Sequence, residues 1–93
     1  MAPGWSKKRC NIHHFRTENG YEVDLVLEDP AGQIVGIEVK STSSISAHDF
    51  KGLKALAEIA GGRFVRGLVL YQGDQAVPFA QNIFAIPINV LWT

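Results

Sequence analysis

The chain has 93 residues, of which 46% are hydrophobic and 19% are charged, as in a single globular domain and unlike a disordered or fibrous chain. Nine basic residues balance nine acidic ones, so no overall field indicates a nucleic-acid partner. Cys10 is the only cysteine, which excludes an internal disulfide, and no apolar run reaches the roughly 20 residues of a membrane span. We therefore expect a cytoplasmic protein without a membrane partner.

The first part of the chain predicts a tail followed by a β-rich domain. Residues 1–10 contain Pro, Gly and a short basic run, which predicts a flexible tail or linker, and residues 11–93 form the expected domain. Residues 11–17 are the first predicted strand. Asn19-Gly20 ends it in a turn, because both residues tolerate positive φ.

Two further strands complete a predicted antiparallel meander. Residues 21–28 and 33–40 each alternate between apolar and polar side chains, which is the period of a strand. Residues 29–32, Asp-Pro-Ala-Gly, provide the turn between them, with Pro early and Gly late.

One helix and two more strands follow. Ser46 with Asp49 three residues later resembles a capping box, and apolar residues then recur at helical spacing: Phe50, Leu53, Leu56, Ala57 and Ala60. Gly61-Gly62 ends the helix. Residues 64–71 and 82–88 are the last predicted strands, with Pro87 favouring an edge or a strand end. The predicted order is βββαββ, an α/β or α+β domain.

Charged residues in the second and third strands suggest a site. If the hairpin folds about Ala31, Asp24 falls opposite Glu38, and opposed side chains in antiparallel strands have Cβ atoms about 5 Å apart. Two carboxylates at this distance repel by roughly 3 kcal/mol at an effective dielectric near 20. A divalent cation reverses that interaction, because magnesium takes carboxylate oxygens as ligands. Lys40 shares the face of Glu38 and is a candidate to stabilise phosphate charge.

These residues also carry a family resemblance. Glu22-Val23-Asp24 followed by Glu38-Val39-Lys40 resembles the PD-(D/E)XK nuclease signature on its strand hairpin. The longer segments that resemble the C-terminal domain of DUF4143 proteins are Phe15-Arg16-Thr17, Gly20-Tyr21-Glu22-Val23-Asp24, Gly36-Ile37-Glu38-Val39-Lys40 and Asp49-Phe50-Lys51-Gly52-Leu53. The similarity extends from about His13 to Trp92.

The resemblance implies a restriction-endonuclease-like core that hydrolyses nucleic acid, with DNA as the expected substrate. Asp24 and Glu38 would bind Mg²⁺ or Mn²⁺, Glu22 is a further candidate ligand, and Lys40 would act beside the scissile phosphate. The family joins such a domain to an AAA-type ATPase, so the chain is expected to be a C-terminal fragment of a larger protein. Val23 replaces the proline of the signature, and the chain has no room for the acidic helix that many superfamily members carry before the first strand. Either Glu22 substitutes for the acid of that helix, or the chain is a fragment, or the site is incomplete.

Several alternatives remain open at this stage. Alternating charge on a strand is typical of a solvated face, and Lys51 and Lys54 are as readily solvated as bound to phosphate. His13 and His14 are adjacent, so on a strand they point to opposite faces. The domain is alternatively a non-catalytic module that binds nucleic acid or protein for an upstream ATPase domain. A third alternative is a homodimerisation element formed by the apolar C-terminal end.

Overall fold

A computed structural model describes residues 11–88 as a mixed α+β domain with one six-stranded sheet and one α-helix. The elements are β1 (Asn11–Arg16), β2 (Glu22–Glu28), β3 (Ile34–Val39), α1 (Lys51–Ala60), β4 (Phe64–Tyr71), β5 (Val77–Ala80) and β6 (Ile83–Pro87). Short 3₁₀ turns, Ala47–Phe50 and Gly61–Arg63, flank α1. The predicted tail at residues 1–10 lies outside the described residues, as do residues 89–93. No helix between residues 11 and 88 has the length and apolar character to cross a membrane.

The strand order in the sheet is β1-β2-β3-β4-β6-β5. The predicted meander of β1, β2 and β3 is confirmed, since both pairings are antiparallel. Strand β4 runs parallel to β3 on one side and to β6 on the other. Strand β5 was not expected from the sequence: its four residues are exposed and include Pro78, and it pairs antiparallel with β6 at the sheet edge. Prolines are tolerated there because an edge strand does not need every N–H in the ladder.

Local side-chain bonds fix the turns that set the hairpin and the helix. The Asp29 carboxylate accepts hydrogen bonds from the Ala31 and Gln33 N–H groups at 3.0 and 2.8 Å, closing the turn between β2 and β3. The capping box is confirmed, because the Asp49 carboxylate accepts the Ser46 N–H at 2.9 Å. The chain consequently returns over the sheet soon after β3 ends.

Helix α1 packs on one face of the sheet and forms the core there. The buried hydrophobic residues are Val23, Val26, Ile34, Phe50, Leu53, Leu56, Ala60, Val69, Tyr71, Ile83 and Ala85. In β3 the buried residues are Ile34, Gly36 and Glu38, so the even-numbered positions face the helix. The apolar odd-numbered positions, including Val39 at 49% exposure, therefore do not line this core, and Glu38 shares a face with the core residues.

A bulge in β2 interrupts the alternation that the sequence predicts. His13 pairs with Val26 and Phe15 pairs with Val23, which leaves Asp24 and Leu25 together opposite His14. Val23 and Val26 are consequently both buried, while Leu25 is 40% exposed. A strict period of two in this strand is therefore wrong. Bulges of this kind redirect a side chain, and the residue redirected here is Asp24.

Candidate active site at the end of the β2–β3 hairpin

A polar cleft of about 270 Å³ lies where the 3₁₀ turn before α1 passes over β2 and β3. The residues that line it are Gly20, Tyr21, Glu22, Asp24, Glu38, Val39, Lys40, His48, Asp49, Lys51 and Gly52. The four sequence-predicted site residues thus border one cleft. Three come from the hairpin strands and Lys40 follows directly on β3.

Asp24 sits at the bulge and bonds across the hairpin. The pairing runs from Glu28 and Ile34 to Leu25 and Ile37, a register centred on Ala31 that ends one residue before Asp24 and Glu38. The Asp24 Oδ2 atom accepts a hydrogen bond from the Val39 N–H at 2.9 Å. This bond orients one carboxylate oxygen and leaves the other available to a ligand in the cleft.

Glu38 is a buried acid among other acids. It is 6% exposed, and burial raises the pKa of its carboxyl from 4.5 to about 7. The Lys40 ammonium acts in the opposite direction and lowers this pKa, whereas the charges of Asp24, Asp49 and Glu22 raise it. The carboxyl therefore lies where the charged form is costly.

Lys40 lies at the mouth of the cleft. Its backbone N–H donates to the Leu70 carbonyl at 2.8 Å, which ties the end of β3 to β4. Its Nζ atom is 4.0 Å from the Glu38 Oε1 atom, and its side chain is 36% exposed. The ammonium is thus positioned by the sheet and still able to meet an anion from solvent.

Glu22, the third candidate ligand, also borders the cleft but has a partner of its own. Its Oε1 atom lies 3.1 Å from the Nε2 atom of His14 on β1. The pair is exposed, so it contributes little to stability. His13 pairs instead with Glu28 at 3.1 Å, and the two adjacent histidines do not share one site.

Three polar side chains that line the cleft were not considered for ligand binding from the sequence: Tyr21, His48 and Asp49. The sequence predicts Asp49 only as a helix cap, whereas in the structure it both caps the 3₁₀ turn and raises the Glu38 pKa. The sequence does indicate that Asp49 lies near Lys40. The predicted helix starts a few residues after Lys40 and packs on the sheet, so its first turn lies over the end of β3.

The carboxylates that line the cleft are of the kind that could hold magnesium, which does not need all its ligands from the protein. Among residues 11–88, no group of three or more His, Cys, Asp and Glu side chains converges on one metal position. Magnesium is commonly held by one or two carboxylates, keeps several waters and adds substrate phosphates. The Asp24 and Glu38 carboxylates in an open, polar cleft fit that requirement.

Comparison with known proteins assigns the chain to a family. Residues 2–91 match a family model described as "Domain of unknown function (DUF4143)". No curated protein and no solved structure matches the chain significantly.

Proposed function

We propose that this chain, which belongs to the DUF4143 family, is a magnesium-dependent phosphodiesterase domain of the PD-(D/E)XK type that acts on nucleic acid, with DNA as the expected substrate. The observation that carries the proposal is the cleft in which Asp24, Glu38 and Lys40 meet. The ionised carboxylate of Glu38, buried beside further acids, reduces stability even with the Lys40 ammonium nearby, and a bound divalent cation would offset that cost. Groups perturbed in this way concentrate at functional sites.

The arrangement of the elements supports a restriction-endonuclease-like core. The acids lie on an antiparallel hairpin, β2 and β3, and a helix then leads to β4 in parallel beside β3. Helix α1 covers one face of the sheet, and its first turn lies over the ends of β2 and β3 that carry Glu22 and Glu38. In this order Asp24 and Glu38 border one cleft, and a phosphodiester would approach from the side of the exposed Asp24 while Glu38 lies buried behind it.

The chain's own residues would divide the work. Asp24 and Glu38 would hold the ion, with the Val39 N–H fixing the orientation of Asp24. Magnesium held there would supply Lewis-acid charge and would lower the pKa of a bound water molecule. The Lys40 ammonium offsets the negative charge that grows on the phosphate oxygens in the transition state. It also reduces the cost of ionising Glu38, as its effect on the Glu38 pKa indicates.

Cleavage by Lys40 variants tests the proposal. We expect Lys40→Ala to reduce Mg²⁺-dependent cleavage of single-stranded and plasmid DNA by about 100-fold or more, since one transition-state charge partner is lost. Arg63→Ala removes a cation beyond the C-terminal end of α1 and should leave cleavage unchanged. Cleavage that survives Lys40→Ala at the wild-type rate would exclude this role.

A non-catalytic module is the second candidate function. It is favoured by the Lys40 ammonium, which lies 4.0 Å from the buried Glu38 carboxylate and gives that acid a cationic partner without a metal ion. In that case the domain binds nucleic acid or protein on behalf of an upstream ATPase domain of the same protein. Salt-dependent DNA binding without cleavage in either Mg²⁺ or Mn²⁺ would favour this function over the nuclease.

A further inference from the structure

A second groove of about 240 Å³ adjoins the cleft along α1. It is lined by Tyr21, Lys51, Lys54, Ala55 and Glu58. Tyr21 and Lys51 border both the groove and the cleft, so the two form one continuous surface. We propose that this groove binds a single nucleic-acid strand next to the cleft, with Tyr21 stacking on a base and Lys51 and Lys54 contacting phosphates. This proposal rests on the proposed function, because it names the substrate strand of the same site.

The charges on the groove suit a polyanion. Lys51 and Lys54 are three residues apart on α1, a spacing that places both side chains on one side of a helix. In the part of the chain from residue 11 to residue 88, neither ammonium lies within 4.0 Å of a carboxylate. Both cations are therefore available to a ligand. Glu58 at the far end of the groove limits the basic stretch to the part nearest the cleft.

Tyr21 provides an exposed aromatic ring between the groove and the cleft. Its residue is 37% exposed, although a tyrosine ring has ample apolar area to bury. Its N–H donates to the Thr17 Oγ1 atom at 3.1 Å, and its carbonyl accepts the Thr17 N–H at 2.9 Å. The backbone of Tyr21 is thus held by both its N–H and its carbonyl, so that only the side-chain torsions remain to be ordered when the ring stacks on a ligand.

These features favour a single strand over a duplex and over an acidic peptide. A base presents its face to an aromatic ring only where it is not stacked between neighbours, as in a single strand or an unpaired end. Base–aromatic stacking with a basic groove that follows the backbone is the usual way in which proteins bind single strands. An acidic peptide would supply charge to the lysines but no planar group for Tyr21.

Binding measured in EDTA separates this proposal from catalysis. The probe is a fluorescein-labelled oligothymidylate of about 10 nucleotides, compared by anisotropy with a duplex of equal length. We expect Tyr21→Ala to weaken binding of the single strand by about 5- to 100-fold, and Tyr21→Phe to retain it. Lys51→Ala and Lys54→Ala should each reduce the slope of log affinity against log salt by about 0.7. Arg63→Ala serves as the charge-matched control.

Other outcomes overturn the proposal. The first is that Tyr21→Ala leaves the affinity for the single strand unchanged. The second is that the duplex binds as tightly as the single strand and depends on Tyr21 in the same way. The third is that polyglutamate at equal charge concentration displaces the oligonucleotide. Binding as expected without Mg²⁺-dependent cleavage would refute the proposed function and leave the strand groove standing. Cleavage that is insensitive to Tyr21→Ala and to both lysine variants would refute the groove and leave the nuclease standing.

Discussion

Replacing Glu38 by Gln is expected to stabilise the metal-free domain by about 3 kcal/mol at pH 8 and to abolish metal-dependent cleavage. The stabilisation follows from the pKa of the Glu38 carboxyl, which burial raises from 4.5 to about 7. Each pKa unit between the unfolded and folded states corresponds to about 1.36 kcal/mol. Glutamine has the same shape and carries no charge, so the cost of ionising a buried acid disappears.

The pH dependence gives the sign of this effect. The folded state takes up the Glu38 proton more readily than the unfolded state, so the contribution of this residue to stability is fully present below about pH 4.5 and is lost as the pH rises through about 7. The wild type and Glu38→Gln should therefore have similar free energies of unfolding near pH 4 and differ most above pH 7. Urea unfolding in EDTA at a series of pH values measures the difference.

Two further observations make the Glu38 experiment decisive. Glu58→Gln, which removes an exposed acid from α1, should show no comparable divergence with pH. Added Mg²⁺ should stabilise the wild type at pH 8 and leave Glu38→Gln unaffected, because only a folded site that binds the ion gains from it. If Glu38→Gln proves as stable as the wild type at pH 8, or less stable, Glu38 is not the strained acid described above.

Gly52→Ala is expected to destabilise the domain by roughly 3 kcal/mol, at the upper end of the cost of overpacking. A Cβ atom at position 52 would overlap the Glu22 carbonyl oxygen and would lie 3.3 Å from the Glu38 Oε2 atom. The overlapping atom belongs to the backbone of β2, so no side-chain rotation relieves it. Helix propensity alone predicts the reverse, a gain of about 1 kcal/mol for Gly→Ala in a helix. Chemical unfolding therefore distinguishes the two effects by sign.

Gly62→Ala provides the matched control for Gly52→Ala. A Cβ atom there would meet nothing within 4 Å, so the substitution should be neutral or slightly stabilising. Gly52→Ala should also weaken metal binding, because the first turn of α1 would move away from Glu38. Equal stability of Gly52→Ala and the wild type would show that α1 does not approach the hairpin as closely as the structure indicates.

Much of the fold could be predicted from local sequence signals. The turn chemistry and the period of the apolar residues predicted the meander and the strand at residues 64–71, and the Ser46–Asp49 pair marked the start of the helical segment. The short edge strand β5 could not be predicted, because four exposed residues with a proline lack both the length and the alternation of a typical strand. It pairs with β6 across the two-residue connection Gln81–Asn82, in which Asn82 has a φ of 68°.

The site was harder to predict because it depends on which sheet face the helix covers. Apolar residues at odd positions in β3 suggested that the face of Glu38 would be the polar one. The helix instead covers the face of the even-numbered residues, where Gly36 leaves space that Leu53 and Leu56 fill. Glu38 lies on the same face and is buried near the end of β3. Neither this choice nor the bulge at Asp24 follows from strand periodicity, and both depend on packing between elements distant in sequence.

A titration of the chain with Mg²⁺ and Mn²⁺, followed by backbone NMR, tests the central claim most directly. We expect shifts and manganese broadening confined to the residues around Asp24, Glu38 and Lys40, and their loss in Glu38→Gln. The Val39 amide should be among the most sensitive signals, because it donates to the Asp24 carboxylate. Shifts absent at saturating metal, or unchanged in Glu38→Gln, would contradict a metal site at the end of the hairpin.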